Sequence, residues 1–451
     1  MLTHSDLIKC GDDETKRIEF IEQAINDFRI SQEYKTAKKS IAYDRKENPD
    51  IAAVEKIIYD MQGIAHKDLV SANHKIRNGY YPLIIGEAVS HLLANGISFS
   101  NPDTKEKLGK GFDDTLKKIS RDALICGRSY GMWNGEKVIH LPYMNTIRIQ
   151  DDYNGELTSA IYFTQIAEDK PLVVHLYESD GFTVYSQEDN KPMELVQPKR
   201  AYTNFFLKNE AEGKYDIKND YSSKLPIIAM YNLQDQSSLI GNLEILIAID
   251  IIMSELCNNV SQAELVYWVL KNYGGMDDIA DANFVVNLLK THVIHVNDDG
   301  EATPHQVTVP VEANNAAYIR LKALLFENMR GANHEILSAG NLTATQIKAA
   351  YSRLREFSGE MESKVFEFVY GIANIAGIDE SETCTVEYNE PINTTEEINN
   401  TIASAPWLGD KATTKKLAAL NGLSDELEEI EKDKAEAEME RMSLIQQGVE
   451  V

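Results

Sequence analysis

One short pattern in the sequence is typical of serine hydrolases. Residues 127–131 read Gly-Arg-Ser-Tyr-Gly, which matches the G-x-S-x-G elbow around a nucleophilic serine, here Ser129. The elbow requires a buried strand before the serine and a helix after it. Here a helical pattern precedes the motif and short strand-like runs follow it, so the order is reversed. We therefore interpret the two glycines as a tight helix-to-strand turn and predict no catalytic residue.

Two groups of histidines are candidates for metal binding. The segment that begins at His334 reads H-E-I-L-S, so Ser338 stands where the zinc motif H-E-x-x-H has its second histidine. His292 and His295 lie three residues apart, which on a strand places them on opposite faces, although His305 could face one of them across a hairpin. Acidic pairs lie in turns, where Asp is favoured by local hydrogen bonds. The sequence therefore predicts no metal and no cofactor.

The composition is that of a folded and strongly acidic protein. The chain has 451 residues, enough for two or three packed units, and 71 acidic against 45 basic residues give a net charge of −26. A broad phosphate-binding surface needs clustered Lys and Arg, so wide nucleic-acid binding is not expected. Four cysteines lie far apart without a C-x-x-C pair, which fits a reducing compartment. The most apolar stretch, 243–253, is shorter than the ~20 residues of a membrane span.

Hydrophobic periodicity predicts helices before and after a β region. The helices of the first part are expected at 14–31, 51–62, 80–95 and 111–126. Between 138 and 231, short apolar runs separated by turn signals predict a mostly antiparallel β region. Its clearest strands are 146–150, 160–166, 172–179 and 182–186.

Longer helices are predicted after this β region. Residues 242–272 contain neither Pro nor Gly, so they could form a rod of about 46 Å, and its first third is apolar nearly all round. A short helix near 278–290, a hairpin formed by 291–296 and 306–310, and a helix over 313–332 are expected next.

The next long helix has a defined start. Thr343 and Gln346 form a T-x-x-Q capping box after a loop over 333–342, and the helix is expected to reach about Ala376. Its stripe is apolar or aromatic except at Ser358, and the pair Ser358-Gly359 predicts a kink. A short strand over 386–393 and helices from 394, at 413–420 and at 425–441 complete the prediction.

The order of these elements resembles that of a known family. Four segments carry the resemblance: 73–99, 122–152, 225–264 and 386–402. The third matches most closely, through Pro226, Gly241, Leu243, Glu244, Asp250, Ser254 and Asn258. Over about residues 15–440 the chain resembles the portal proteins of tailed bacteriophages, in the branch typical of long-tailed phages. No single segment is a signature, and the specificity comes from the order and lengths of the elements.

The resemblance implies an α+β fold, a mainly helical portal fold with a wing β region, a two-helix stem, a small α/β clip, a long kinked wing helix and a helical crown. The implied map is a wing at 1–240, stem helix 1 at 241–272, the clip at 273–312, stem helix 2 at 313–332, the tunnel loop at 333–343, the long wing helix and return strand at 344–394, and the crown at 395–451.

It also implies a non-enzymatic role and a set of partners. The chain is expected to form a ring of about twelve copies at one capsid vertex of the virion, after assembly in the host cytoplasm. The ring would be a channel for packaging and ejecting double-stranded DNA without sequence-specific binding. The expected partners are other copies of the chain, the terminase large subunit, a head–tail adaptor, the major capsid and scaffolding proteins, and the DNA, but no membrane.

Site residues follow from the implied map. The tunnel loop would present Ser338, Ala339, Gly340, Asn341 and Thr343 to the DNA. The subunit contact in the stem would use Leu243, Leu246, Ile249, Leu324 and Leu325. The clip would contact motor and adaptor through His292, His295, Asp298, Asp299 and His305. The helix kink would lie at Ser358 and Gly359.

Two properties of the residues themselves also favour a ring with a channel. The helix that begins at 242 has more apolar surface than one side of a monomer can bury, which implies neighbouring subunits. An anionic channel repels phosphate, so DNA could slide through it. Two alternatives remain open: another ring-shaped phage connector or scaffold protein, and a serine hydrolase acting through Ser129.

Overall fold

The computed structural model describes most of the chain. The described residues are 2–59, 63–68, 71–189, 191–202, 204–209, 214–218, 224–262, 266–271, 301–306, 311–338, 343–379, 381–390, 394–423 and 426–446. Their helices are α1 His4–Cys10, α2 Glu14–Ile30, α3 Gln32–Asp44, α4 Pro49–Ala53, α5 Tyr80–Leu93, α6 Asp103–Lys107, α7 Phe112–Cys126, α8 Leu243–Gln262, α9 Val311–Asn328, α10 His334–Leu337, α11 Ala344–Ile375, α12 Thr394–Leu408, α13 Asp410–Leu420 and α14 Leu427–Gln446.

Short strands alternate with these helices. They are β1 Ile57–Tyr59, β2 Ala65–Lys67, β3 Ile97–Phe99, β4 Arg128–Trp133, β5 Val138–Leu141, β6 Thr146–Gln150, β7 Leu157–Thr164, β8 Leu172–Glu178, β9 Gly181–Gln187, β10 Glu194–Arg200, β11 Asn204–Asn209, β12 Lys214–Lys218, β13 Ile227–Tyr231, β14 Val266–Lys271, β15 Glu301–Gln306 and β16 Cys384–Val386. The mixed helix-and-sheet class expected from the sequence is confirmed.

The predicted antiparallel β region is present. Strands β6 to β10 form one five-stranded sheet in the order β10-β9-β8-β7-β6, and each neighbouring pair is antiparallel. Helix α2 covers one face of this sheet, because its buried side chains Phe20, Ile21 and Ile25 join Ile161 and Val174 of the sheet in one hydrophobic cluster. The stripe that predicted α2 is therefore the surface that packs on the sheet.

A second and larger core lies between the helices and a three-stranded sheet. That sheet has the order β13-β4-β5, and helices α5, α7 and α11 pack around it. The buried side of α11 includes Leu354, Val365 and Phe368. This core joins the N-terminal helices to the second half of the chain, so α8 and α9 pack on the same body.

Two sequence predictions extended helices too far. Residues 51–62 were expected to be helical, but α4 ends at Ala53 and Ile57–Tyr59 form β1. Residues 242–272 were expected to form one rod, but α8 ends at Gln262 and Val266–Lys271 pair with Glu301–Gln306 in the β14–β15 ladder. Both misassigned segments are rich in β-branched or aromatic residues, which favour strands, whereas the lack of Pro and Gly only permits a helix.

The remaining parts of that prediction are only partly described. The short helix near 278–290 and the strand at 291–296 lie outside the described residues, and so do 307–310. Helix α11 runs without interruption through Ser358 and Gly359, and the kink there stays a prediction. Within the described ranges, the model contains no helix long and apolar enough to cross a membrane.

Candidate functional site: helices α8 and α9 and their surroundings

Helix α8 is covered on several sides by its own chain. Leu246 and Ile249 are fully buried, and Leu243 packs half-buried against the same core. Helix α9 lies along α8 and buries Leu325. The all-round apolar character of α8 is thus explained largely by packing within one subunit.

Three buried polar side chains form a row along helix α8. Asp250, Ser254 and Asn258 are four residues apart, so they lie on one face of α8, and all three are buried. Each accepts a hydrogen bond from the backbone of the extended segment 74–78. The donors are Asn78 N to Asp250 Oδ1 at 2.6 Å, Ile76 N to Ser254 Oγ at 2.9 Å and His74 N to Asn258 Oδ1 at 2.6 Å.

The spacing of this row matches the spacing of its donors. Four residues of helix rise about 6 Å, and two residues of extended chain rise about 6.6 Å. Every second N–H of segment 74–78 therefore meets every fourth side chain of α8, and the match holds over three successive pairs. Because a buried backbone donor without a partner is costly, this row fixes the segment to the helix.

Asp250 is the most constrained member of the row. Its Oδ1 also accepts from Asn78 Nδ2 at 2.7 Å, and its Oδ2 accepts from Asn48 Nδ2 at 2.6 Å. Burial raises the pKa of the Asp250 carboxyl, and the hydrogen bonds from Asn78 and Asn48 offset part of that rise. One carboxylate thus joins α8, the segment before α5 and the turn before α4.

Helix α9 leaves much of its surface uncovered, and apolar residues on that surface lie among polar ones such as Glu312, Arg320 and Glu327. Ile319 is 47% exposed and Leu324 is 41% exposed, although Leu325 beside them is buried. The exposed apolar residues of this helix are Val311, Ala313, Ala316, Ala317, Ile319, Ala323 and Leu324. Among the described residues, nothing covers this surface, which suits close contact with another helix.

The predicted tunnel loop is held at both ends. On its first side, Asn333 caps α10 by accepting from the backbone of Glu335, and His334 Nε2 lies 2.6 Å from Glu87 Oε1. On its second side, the capping box of Thr343 and Gln346 opens α11 as predicted. Ser338 ends the described part of the first side, and Ala339, Gly340 and Asn341 lie outside the described residues.

The predicted stem-contact residues lie in two different environments. Leu246, Ile249 and Leu325 are buried inside the chain, so their side chains belong to the hydrophobic core of one subunit. Leu243 is half-buried and Leu324 is exposed. The sequence could not separate the buried residues from the accessible ones, because both groups repeat with helical spacing. The proposed contact between subunits is therefore limited to Leu243 and Leu324.

The predicted clip residues are mostly not described. His292, His295, Asp298 and Asp299 lie outside the described residues. His305 lies on β15, opposite Tyr267 of β14 in the antiparallel register. Its assigned contact with motor or adaptor stays a prediction.

Ser129 has neighbours that resemble a catalytic triad in type but not in geometry. Ser129 Oγ donates to Asp122 Oδ2 at 2.8 Å and lies 3.0 Å from His140 Nε2, while the same His140 nitrogen is 3.2 Å from Asp122 Oδ2. A triad places its carboxylate on the opposite ring nitrogen. Ser129 is also fully buried, and Asp122 Oδ2 accepts from the backbone N of Tyr143 at 3.0 Å. The side chains of Ser129, Asp122 and His140 form a hydrogen-bond network that connects α7, β4, β5 and the turn at Tyr143.

Both glycines of the motif have a structural reason. Gly127 has φ +98° and ends α7 by donating its N–H to Ala123 O, a conformation that favours glycine. A Cβ on Gly131 would lie 2.4 Å from the ring of Phe368 on α11. The interpretation of this motif as a helix-to-strand turn agrees with the observed order of α7 and β4.

A buried histidine that sequence reasoning missed joins α5 to α11. His91 Nδ1 lies 2.8 Å from Ser358 Oγ and its Nε2 lies 3.0 Å from Glu390 Oε1. Burial opposes ionisation of Glu390, but hydrogen bonds from Arg355 and His91 outweigh it and lower the pKa of that carboxyl. The sequence does contain one sign of this contact, because Ser358 is the one polar residue in the apolar stripe of α11.

Comparisons with known proteins point to one family. Residues 27–440 match the sequence model of the family described as phage portal protein, SPP1 Gp6-like. A relative named portal protein, from Clostridium phage phiCD119, is 22% identical over 368 residues, which cover 72% of this chain and 78% of the relative.

Two chains of solved particle-neck structures are also similar to this chain. A chain from the neck of a native GTA particle, computed with C12 symmetry, has a TM-score of 0.39 and 10% identity, with 75% of this chain and 87% of that chain covered. A chain from the neck of an empty GTA particle, computed with C6 symmetry, has a TM-score of 0.43 and 11% identity, with 76% and 90% covered.

Proposed function

The chain belongs to the SPP1 Gp6-like family of phage portal proteins, and we propose that its copies close into a ring at one capsid vertex, around a channel through which double-stranded DNA is packaged and ejected. The observation that carries the ring is the uncovered surface of α9, where the large apolar residues Ile319 and Leu324 are both exposed. A head-to-tail contact between this surface and a different face of the next copy repeats around an axis and closes into a ring.

The acidic charge suits the channel role. At a net charge of −26 per copy, the wall of a ring repels the phosphates of DNA and does not hold them. The loop between Ser338 and Thr343 is our proposed contact with the passing duplex. Its two anchors, the contact of His334 with Glu87 and the capping box of α11, support a short loop on a rigid base.

Other partners are assigned to the ends of the ring. We assign the clip, residues 273–312, first to the terminase large subunit and then to a head–tail adaptor. The wing would face the major capsid and scaffolding proteins during assembly in the host cytoplasm. The clip assignment uses His292, His295, Asp298, Asp299 and His305.

The two alternatives receive less support. A hydrolase acting through Ser129 would need an accessible hydroxyl, but Ser129 is fully buried and its neighbours have the wrong geometry. We therefore propose that the protein catalyses no reaction. Another ring-shaped phage connector or scaffold protein would share the ring but not the DNA channel.

The loop assignment provides the test of the channel function. Deletion of residues 339–341 should leave rings intact, because both anchors remain, and should lower the amount of nuclease-protected DNA per capsid. A matched deletion of 167–169, in an exposed turn of the five-stranded sheet, should package normally. Normal packaging by the 339–341 deletion would remove the assigned role of the loop.

A further inference from the structure

A strip of positive charge lies on the surface of this acidic chain. We call it the basic strip, and it consists of Lys35, Lys38, Arg45, Lys46 and Arg77, all of them exposed. Lys35 and Lys38 lie on the outer side of α3, and Arg45 and Lys46 follow its last turn. Lys46 extends toward the start of α5, since a Cβ built on Gly79 would lie 3.0 Å from Lys46 Cε. This contact brings the strip to Arg77, two residues before Gly79.

The carboxylates near the strip pair mainly with bases outside it, although Asp44 also interacts electrostatically with Arg45, and Asp250 with Arg77. Three of them pair with other bases: Glu33 with Arg128, Asp44 with Arg121 at 2.6 Å and Asp50 with Lys39 at 2.9 Å. Glu47 is the exposed acid beside the strip. Among the described residues, no carboxylate forms an ion pair with Lys35, Lys38, Arg45 or Lys46.

We propose that the basic strip is one side of the contact between neighbouring copies and receives an acidic face of the second copy. This inference rests on the proposed ring. Counted with Glu47, the strip carries a net charge of +4, so the rest of the chain carries −30. Because of this negative charge, two copies repel each other in most relative orientations. Electrostatics therefore favours a contact in which the basic strip meets an acidic face.

A head-to-tail contact does not need a basic strip on both of its faces. Such a contact joins two different faces of the same protein, so only one of the two faces needs to be basic. A DNA-binding surface would instead need clustered bases over a wide area. The strip is narrow, and it lies in a chain whose remaining charge repels phosphate. The observations therefore favour an acidic protein face over DNA.

Lysine acetylation with mass spectrometry tests the proposal directly. The reactivity of Lys35, Lys38 and Lys46 would be measured in dissociated subunits, in assembled rings, and in rings mixed with a short DNA duplex. We expect the three lysines to lose reactivity several-fold on assembly. The exposed Lys118 on α7 serves as the control and should change little.

The possible outcomes separate this proposal from the proposed function. Rings in which the strip lysines stay fully reactive would overturn the proposal and leave the ring intact. Lysines protected only when the duplex is added would overturn it in favour of DNA. Failure to form rings under any condition would overturn the proposed function and, with it, this inference.

A charge-reversal variant provides the second test. Lys35→Glu, Lys38→Glu and Lys46→Glu together should shift rings toward dissociated subunits with an unchanged circular-dichroism spectrum. The matched variant with Lys35→Arg, Lys38→Arg and Lys46→Arg keeps the charge and should assemble normally.

In rings that mix isotope-labelled and unlabelled copies, a zero-length carboxyl–amine crosslinker should join strip lysines to Asp or Glu of the other copy. Crosslinks confined to single copies, with full assembly of the Glu variant, would contradict the proposal.

Discussion

Asp250 accepts two hydrogen bonds from Asn78 through a single oxygen. Its Oδ1 lies 2.6 Å from the backbone N of Asn78 and 2.7 Å from its Nδ2. The two residues are separated by 172 positions in the sequence. This pair fixes the segment that precedes α5 to the middle of α8, and in the proposed ring it would hold the wing against the stem.

Replacing this carboxylate should destabilise the fold. Asp250→Ala removes the acceptor of the Asn78 backbone N–H and of one N–H on each of the Asn78 and Asn48 amides, which keep only Leu246 O and Asn78 O, and each unsatisfied donor costs about 1–3 kcal/mol. We expect the free energy of unfolding, measured with urea on dissociated subunits, to fall by about 3 kcal/mol or more. The exposed Glu255 of the same helix is the control, and Glu255→Ala should change the free energy of unfolding by less than about 0.5 kcal/mol. Equal effects of the two variants would contradict this role of Asp250.

The lowered pKa of Glu390 predicts a pH-dependent contribution to stability. An acid whose pKa is lower in the folded state stabilises the fold above its unfolded pKa, here 4.5, and loses that contribution as pH falls through its folded pKa. Glu390→Gln should therefore be less stable than the original chain at pH 7, and the difference should vanish in acid. Urea unfolding of both proteins across this pH range measures it. A difference that is constant with pH would show that the pairing of Glu390 with Arg355 and His91 does not depend on its charge.

Substitutions of two leucines, one on α8 and one on α9, should separate folding from assembly. Leu324 is exposed in the subunit, so Leu324→Asp should leave the subunit folded and prevent ring formation. Leu246 is fully buried, so Leu246→Asp should unfold the subunit itself. Circular dichroism and native mass spectrometry distinguish the two results. Ile166→Asp, at a 90% exposed apolar residue in a turn of the sheet, is the control and should affect neither. Rings that form normally with Leu324→Asp would exclude the α9 face from the contact.

Ser129 should prove to be structural. Ser129→Ala removes its hydrogen bond to Asp122, which we expect to lower the free energy of unfolding by about 1 kcal/mol. A fluorophosphonate probe should label neither the original chain nor the variant, because the hydroxyl is buried. Labelling of the original chain that disappears in Ser129→Ala would instead favour the hydrolase alternative.

The elements that depend on local pattern could be predicted from the sequence. The capping box at Thr343 and the apolar stripe of α11 are visible within a few residues, and the structure contains both. The end of α8 at Gln262 could not be predicted in this way, because the strand after it is defined by pairing with β15, about 30 residues further along.

The polar contacts between distant segments explain what the sequence could not reveal. Asp250, Ser254 and Asn258 stand out in the sequence as a polar row with a spacing of four residues, but their partners are the backbone donors of 74–78. Ser358 likewise breaks an apolar stripe, and its partner His91 is 267 positions away. In each case the sequence marks one member of the pair, and the fold is needed to identify the other.

Imaging of the purified protein by negative-stain electron microscopy would show whether its copies close into a ring. At high protein concentration, we expect rings of one symmetry with a hole wide enough for a DNA duplex, and native mass spectrometry should give the matching number of copies. Particles that remain single subunits or dimers, without a central hole at any concentration, would contradict the proposed ring.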